Sequence, residues 1–246
     1  VKKEGNAAIE PQASSSAFKR LIVTWFPIIA VLVIVALDPI VRIDHITTLS
    51  NGMTFSFGFL EVMYMRYYNG PRITAIGVIY TGATLGATIL LPNDPWIFGV
   101  IVFGTTGIAC LGSRWGLFRI FVWAPVAIVM YGSGVTSNFH YNVTLAETRS
   151  ITLMVGGFVA LALLTVLKVG STPDREYLDT RQSVVFACTV SIILGVVTWL
   201  TFRSGLPYDH WIPATILRLI VPSVELWRSR SFKRSAGTVA GAAAAA

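Results

Sequence analysis

Apolar residues are gathered into runs of about twenty, separated by short polar turns that are mostly basic. About 20 mostly apolar residues form a helix long enough to cross the ~30 Å hydrocarbon core of a bilayer, so each long run predicts a spanning helix. The first covers residues 21–43 and carries no charge before Asp38. A weaker run at 50–65 contains Gly52, Gly58 and Glu61, and clearer ones follow at 73–91, 96–111, 117–134, 151–167 and 182–202. Residues 211–223 are apolar but short, and Pro213, Arg218 and Pro222 interrupt them. The pattern predicts an all-α, polytopic helical membrane protein.

Polar stretches set the organisation. Residues 1–17 read as a flexible cytoplasmic tail without the short apolar core of a signal peptide. Residues 18–169 form a first transmembrane module of about six helices. The polar, proline-bearing segment 170–181 is a cytoplasmic linker, and 182–246 begin a second module. The sequence after Gly241 is five alanines, read as a truncated or unassigned helix.

Composition strengthens this picture. Of 246 residues, 54% are hydrophobic and only 13% charged, about half the charge of an ordinary soluble domain. The mean hydropathy is +0.68. These values exclude a soluble enzyme and a disordered chain. Cys110 and Cys188 both fall inside apolar runs, so they form no disulfide framework or metal-ligand cluster.

The net charge of +7 could suggest a nucleic-acid partner, but its placement gives another reason. Lys and Arg are retained on the cytoplasmic side of membranes. With the N-terminus inside and the spans alternating, fifteen of the nineteen Lys and Arg residues lie inside. Arg42, Arg149 and Arg203 lie outside, and Arg218 falls within a span. The charge excess therefore records topology, with the lipid bilayer as partner and no nucleic acid. His45, His140 and His210 fall on separate outer loops, which argues against a shared metal site.

The two sets of spans share an order: a basic start, a long span, a weaker span, a basic turn, then a helix opening with small residues. Arg20 to Gly82 is 62 residues and Arg181 to Gly237 is 56. Gly82 and Gly86 in the first set, and Gly237 and Gly241 in the second, form GxxxG motifs that let helix backbones approach closely.

The second set also carries His210-Trp211-Ile212-Pro213-Ala214-Thr215, Val221-Pro222-Ser223 and Arg234-Ser235-Ala236-Gly237-Thr238-Val239-Ala240-Gly241. In these residues the chain resembles the fusaric acid resistance (FUSC) superfamily, whose members have a Trp-rich short segment, a basic cluster and an "R..GT..G" motif. The resemblance covers residues 181–241 and, through the repeat, 18–134 more loosely. Arg218 departs from it, standing where the family has an apolar residue. The resemblance implies two repeated helical modules, the second incomplete in this chain. It also implies a bacterial plasma (inner) membrane location and export of aromatic carboxylic acids. Distant relatives are anion channels.

No catalytic constellation is visible: GxSxG, HExxH, Walker and CxxC patterns are missing, and no cofactor is implied. Membrane-embedded charges are the better clues, since an ionisable group in lipid is costly. Arg218 lies between two prolines in a segment too short to span, the kind of broken helix that lines transporter cavities. It would receive a carboxylate through paired hydrogen bonds, with Thr215 beside it and Trp211 stacking on an aromatic cargo. A structural ion pair, with Glu225 for example, is the alternative. Glu61 and Glu225 each precede an arginine by five residues. They are candidates for proton coupling, against the alternative of carboxylates snorkelling to the interface. Gly82, Gly86, Gly237, Thr238 and Gly241 are assigned to helix packing. The other tryptophans read as an aromatic belt.

The resemblance, taken with these embedded charges, implies a FUSC-like proton-coupled exporter of a small organic anion. A non-transporting membrane subunit or scaffold of an envelope-assembly complex, and an anion channel, are the alternatives. A homo-oligomer or partner membrane subunits are compatible with each.

Overall fold

The computed structural model describes residues 45–132, 139–168, 177–205 and 210–220, with backbone alone at 45–50, 67–68, 139–142 and 218. The span expected at 21–43, most of the linker and residues 221–246 lie outside the described residues. Every regular element among those described is helical. In order they are α1 (His45–Tyr68), α2 (Pro71–Ile89), α3 (Pro95–Leu111), a 3-10 turn (Gly112–Trp115), α4 (Phe118–Phe121), α5 (Trp123–Tyr131), α6 (Phe139–Val166), α7 (Thr180–Ser204) and α8 (Trp211–Leu219).

Among the described residues, four helical segments are long and apolar enough to cross a membrane: Pro71–Ile89, Pro95–Trp115, Val143–Val166 and Thr180–Ser204. By length and composition they are consistent with a multi-pass membrane protein.

Local sequence sets the helix starts. Pro71 and Pro95 open α2 and α3, where their missing N–H groups cost nothing. Asp94 caps α3 by accepting from the N–H groups of Trp96 (2.7 Å) and Ile97 (3.3 Å). Asp179 and Gln182 form a reciprocal capping box on α7, so α7 begins at Thr180, inside the segment expected to be linker. Gly116, at φ 68°, supplies the left-handed turn between the 3-10 helix and α4.

Two segments differ from the sequence expectation. The run at 117–134 is not one span but α4 and α5, parted at Val122. Pro125 explains the break: it has no N–H to give to Phe121, and its ring would collide with that carbonyl in a continuous helix. The break puts Pro125 in the first turn of α5, where it is tolerated. The second difference is α6, which starts at Phe139, well before the expected residue 151. His45 and His140 consequently belong to helices α1 and α6, and only His210 stands outside one, as the residue preceding α8.

Packing divides into two close assemblies joined by α5. α1 and α6 run parallel: Gly58 lies against the Leu153 carbonyl and Gly156 against the Phe55 carbonyl, both too tightly for a Cβ. α2 runs antiparallel to α6, with Gly82 beside Met154 and Gly86 beside Ser150. α3 and α7 pair antiparallel along their lengths, from Phe98 on Phe202 to a Ser113–Ser183 hydroxyl contact at 3.2 Å. α5 fills the middle, with Val126, Ala127, Ile128 and Val129 all buried in one core with Leu85, Phe98, Leu153, Leu194 and Leu217. Lipid offers little hydrophobic drive for helix association, so close packing through small residues does that work.

These directions put Arg66, Arg72, Arg114, Arg119, Lys168 and Arg181 at one end of the bundle, and Arg149 and Arg203 at the other.

Candidate functional site

α2 holds four threonines, and three use their hydroxyls within the helix. Thr74 donates to the Gly70 carbonyl (3.0 Å), Thr84 to Tyr80 (2.8 Å) and Thr88 to Thr84 (2.7 Å). Such bonds let hydroxyls lie in an apolar setting without a partner elsewhere. Thr81 is the exception. Its Oγ1 crosses to α1 and donates to Glu61 Oε1 at 2.6 Å.

Glu61 is 0% exposed. Its other oxygen, Oε2, is buried without a hydrogen-bond partner. The carboxyl therefore does not snorkel to the interface; it is held inside the bundle at the level of mid-α2. Phe57 and Tyr64, one turn to either side of Glu61, both meet the Trp123 ring edge-on with centroids 5.5 Å apart. Trp123 Nε1 is likewise buried without a partner. Two buried polar atoms without a partner, one an acceptor on α1 and one a donor on α5, thus belong to this part of the bundle.

The C-terminal end of α1 is closed by polar groups. Asn69 Nδ2 donates to the Met65 carbonyl at 3.2 Å, and Arg66 Nη1 donates to the Asn69 carbonyl at 3.0 Å. Both satisfy carbonyls that the helix end would leave open. Arg66 Nε and Asn69 Oδ1 remain buried and unpartnered. Arg119, on α4 nearby, is only 8% exposed, although its sequence position reads as part of a basic interfacial turn. At the opposite end, Arg149 Nη1 donates to the Tyr131 carbonyl, which ties α6 to the end of α5.

The residues expected to bind an anion lie elsewhere. α8 is a nine-residue helix that ends where Ile220 turns extended, two residues before Pro222. At ~1.5 Å per residue it is too short to cross. Ala214 and Leu217 bury its inner side against α5 and α7. Trp211 is 48% exposed, with the His210 ring 5.9 Å away, and Thr215 is half-buried. Arg218 sits in the last turn, its side chain outside the described residues. Glu225, Gly237, Thr238 and Gly241 also lie outside them. Gly82 and Gly86 face α6, where Ser150 Oγ donates to the Gly82 carbonyl at 2.7 Å. No group of three or more potential metal-ligating side chains occurs among the described residues.

Sequence reasoning singles out Glu61 as an embedded charge but does not reach Thr81, Trp123 or the burial of Arg119. A signal for the first existed, since Thr74, Thr81 and Thr88 recur every seven residues on one buried face. Trp123 is grouped with the belt by its sequence position; its contacts with Phe57 and Tyr64 depend on how α1 and α5 dock, which no local pattern contains.

Compared with protein-family models, with curated proteins and with solved structures, the chain has no match.

Proposed function

We propose that this chain forms part of a FUSC-type secondary transporter, exporting an organic, aromatic acid anion across the bacterial plasma membrane in exchange for protons. The supporting observation is Glu61: a carboxyl wholly inside the bundle, with Oε1 on Thr81 and Oε2 free. An intramembrane ionisable residue is expensive and is characteristic of proton relays. In this reading Oε2 takes and releases the proton while the Thr81 hydroxyl keeps the carboxyl in place. Arg218 holds the anion in the short segment closed by Pro222, with Trp211 and Thr215 alongside. The N-terminus is cytoplasmic, which puts the basic end of the bundle inside. The cargo undergoes no chemistry.

The test is anion flux in proteoliposomes made with the full-length chain, with and without an inward proton gradient. Flux that requires the gradient, and is lost in both Glu61→Gln and Arg218→Leu, supports the reading. Gradient-independent flux indicates a channel. No flux of any aromatic or aliphatic acid from folded protein rejects transport. It would favour a non-transporting membrane subunit, the second reading, which the close backbone contacts at Gly58 and Gly156 also suit.

A further inference from the structure

Where α3 and α7 cross, two glycines meet. A Cβ on Gly99 would lie 3.0 Å from the Gly195 carbonyl oxygen, and one on Gly195 would lie 3.0 Å from Phe103 Cβ. The close approach leaves a groove of about 190 Å³ on the outer side of the contact. Its walls are Val100, Phe103, Ile192 and Val196, all exposed aliphatic or aromatic side chains on helices long enough to span. Trp96 and Trp199 close one end, packed edge to face at 5.9 Å.

That end is also an end of both helices. Trp96 is the second residue of α3, and Arg203 is the last but one of α7. The Arg203 guanidinium carbon stands 5.5 Å from the Trp199 ring centroid. Arg203 makes no ion pair among the described residues, whereas the neighbouring Asp94 is committed to the N–H groups of Trp96 and Ile97. The mouth therefore combines interfacial tryptophans with an available cation, at the depth where headgroups begin.

We propose that this groove is a phospholipid site: one acyl chain lies along Gly99 and Gly195, and an anionic headgroup phosphate rests on Arg203. The groove has roughly six times the volume that one water occupies in the liquid. That is room for a segment of a single chain and too little for the face of a folded partner. The lining supplies no polar group along its length, and a cation stands at its mouth, which matches a lipid's own division. Guanidinium binds phosphate through parallel N–H donors, so an anionic phospholipid should be preferred over an uncharged lipid with identical chains.

Native mass spectrometry of the full-length protein in detergent tests this, using dipalmitoyl phosphatidylglycerol, phosphatidylcholine and diacylglycerol as probes. One phosphatidylglycerol per chain should survive dilution of free lipid, with diacylglycerol retained about tenfold less well, a factor of one charge-assisted hydrogen bond. Val196→Trp fills the groove from the lipid side and should remove retention of all three. Ile151→Trp, on the exposed side of α6, should leave it unchanged. Arg203→Gln should abolish the headgroup preference but keep chain binding. Helicity and elution volume show that each variant folds, and Ile192→Trp replaces Val196→Trp if that one does not. Equal retention in wild type and both groove-filling variants overturns the site. So does a headgroup preference that survives Arg203→Gln, or a second copy of the chain bound in place of lipid.

Discussion

Thr81 Oγ1 lies 2.6 Å from Glu61 Oε1 and is the one hydroxyl on α2 whose bond crosses to another helix rather than closing on its own backbone. The arrangement fixes a carboxyl inside the bundle by its syn or anti lone pair on one oxygen only. The second oxygen is left with nothing to bind. An unsatisfied buried acceptor is costly.

Removing the donor should therefore be expensive. Thr81→Val is expected to lower stability by about 1–2 kcal/mol, more than the ~0.6 kcal/mol average for an interhelical hydrogen bond in a membrane protein, because it strips a carboxyl of its partner. Thr88→Val, which loses only an intrahelical bond, should cost less. Equilibrium unfolding in mixed detergent micelles with SDS measures both. Adding Glu61→Gln to Thr81→Val should recover part of the loss, and an equal cost for the two valine variants would remove Thr81 from the site.

The glycines give a graded series. Gly58→Ala and Gly156→Ala would drive a methyl group into the carbonyls of Leu153 and Phe55, rigid backbone that cannot yield. Overpacking of this kind costs about 1–3 kcal/mol. Gly82→Ala meets the flexible Met154 side chain, with Cγ at 2.5 Å, so its cost should be smaller. Gly104 has open space around it. Gly104→Ala should be neutral or stabilising by up to ~1 kcal/mol through helix propensity. The same unfolding assay ranks them, and a flat series would mean the α1–α6 contact adapts.

Trp123→Phe separates function from stability. It keeps the ring contacts with Phe57 and Tyr64 and deletes an N–H that has no partner. Stability should stay within about 0.5 kcal/mol or rise, since a buried unsatisfied donor is removed. Transport should fall if that donor serves the cargo, seen as a raised KM in the proteoliposome assay. A variant that loses stability and keeps KM would make Trp123 a packing residue alone.

How much of this could be read from sequence depends on what each feature rests on. α3 and α7 were legible because an apolar run of the right length needs no partner to be recognised. The N-terminal half of α6 was not, because residues 139–150 are mixed polar. Their helix is anchored by Ala146 and Ser150 against Gly86, and by Arg149 on Tyr131, contacts that no local pattern contains. The GxxxG at Gly82 and Gly86 marked a close approach but could not name α6 as the neighbour. A second small-residue series passed unread: Ser183, Ala187, Ser191 and Gly195 repeat every four residues and are all buried along α3. Glu61 was visible as an oddity in an apolar run. Its pairing with Thr81 was not, since it depends on how α1 and α2 dock.

Topology supplies the last prediction. The antiparallel pairing of α3 and α7 places Asn93, before α3, at the end opposite Tyr177, before α7, and both are exposed. The proposed orientation, which follows the excess of Lys and Arg, puts the Tyr177 end in the cytoplasm. In a background with Cys110→Ala and Cys188→Ser, Asn93→Cys should react with a membrane-impermeant maleimide in intact cells. Tyr177→Cys should react only after lysis. The reverse pattern would put the N-terminus outside and turn the whole bundle over, so that the end of α1 beyond Glu61, with Arg66, faces the exterior. Proton entry to the carboxyl would then begin from the opposite side, while the exchange itself, driven by the proton gradient, would keep its direction. Labelling of both cysteines in intact cells would mean that α3 and α7 do not cross at all.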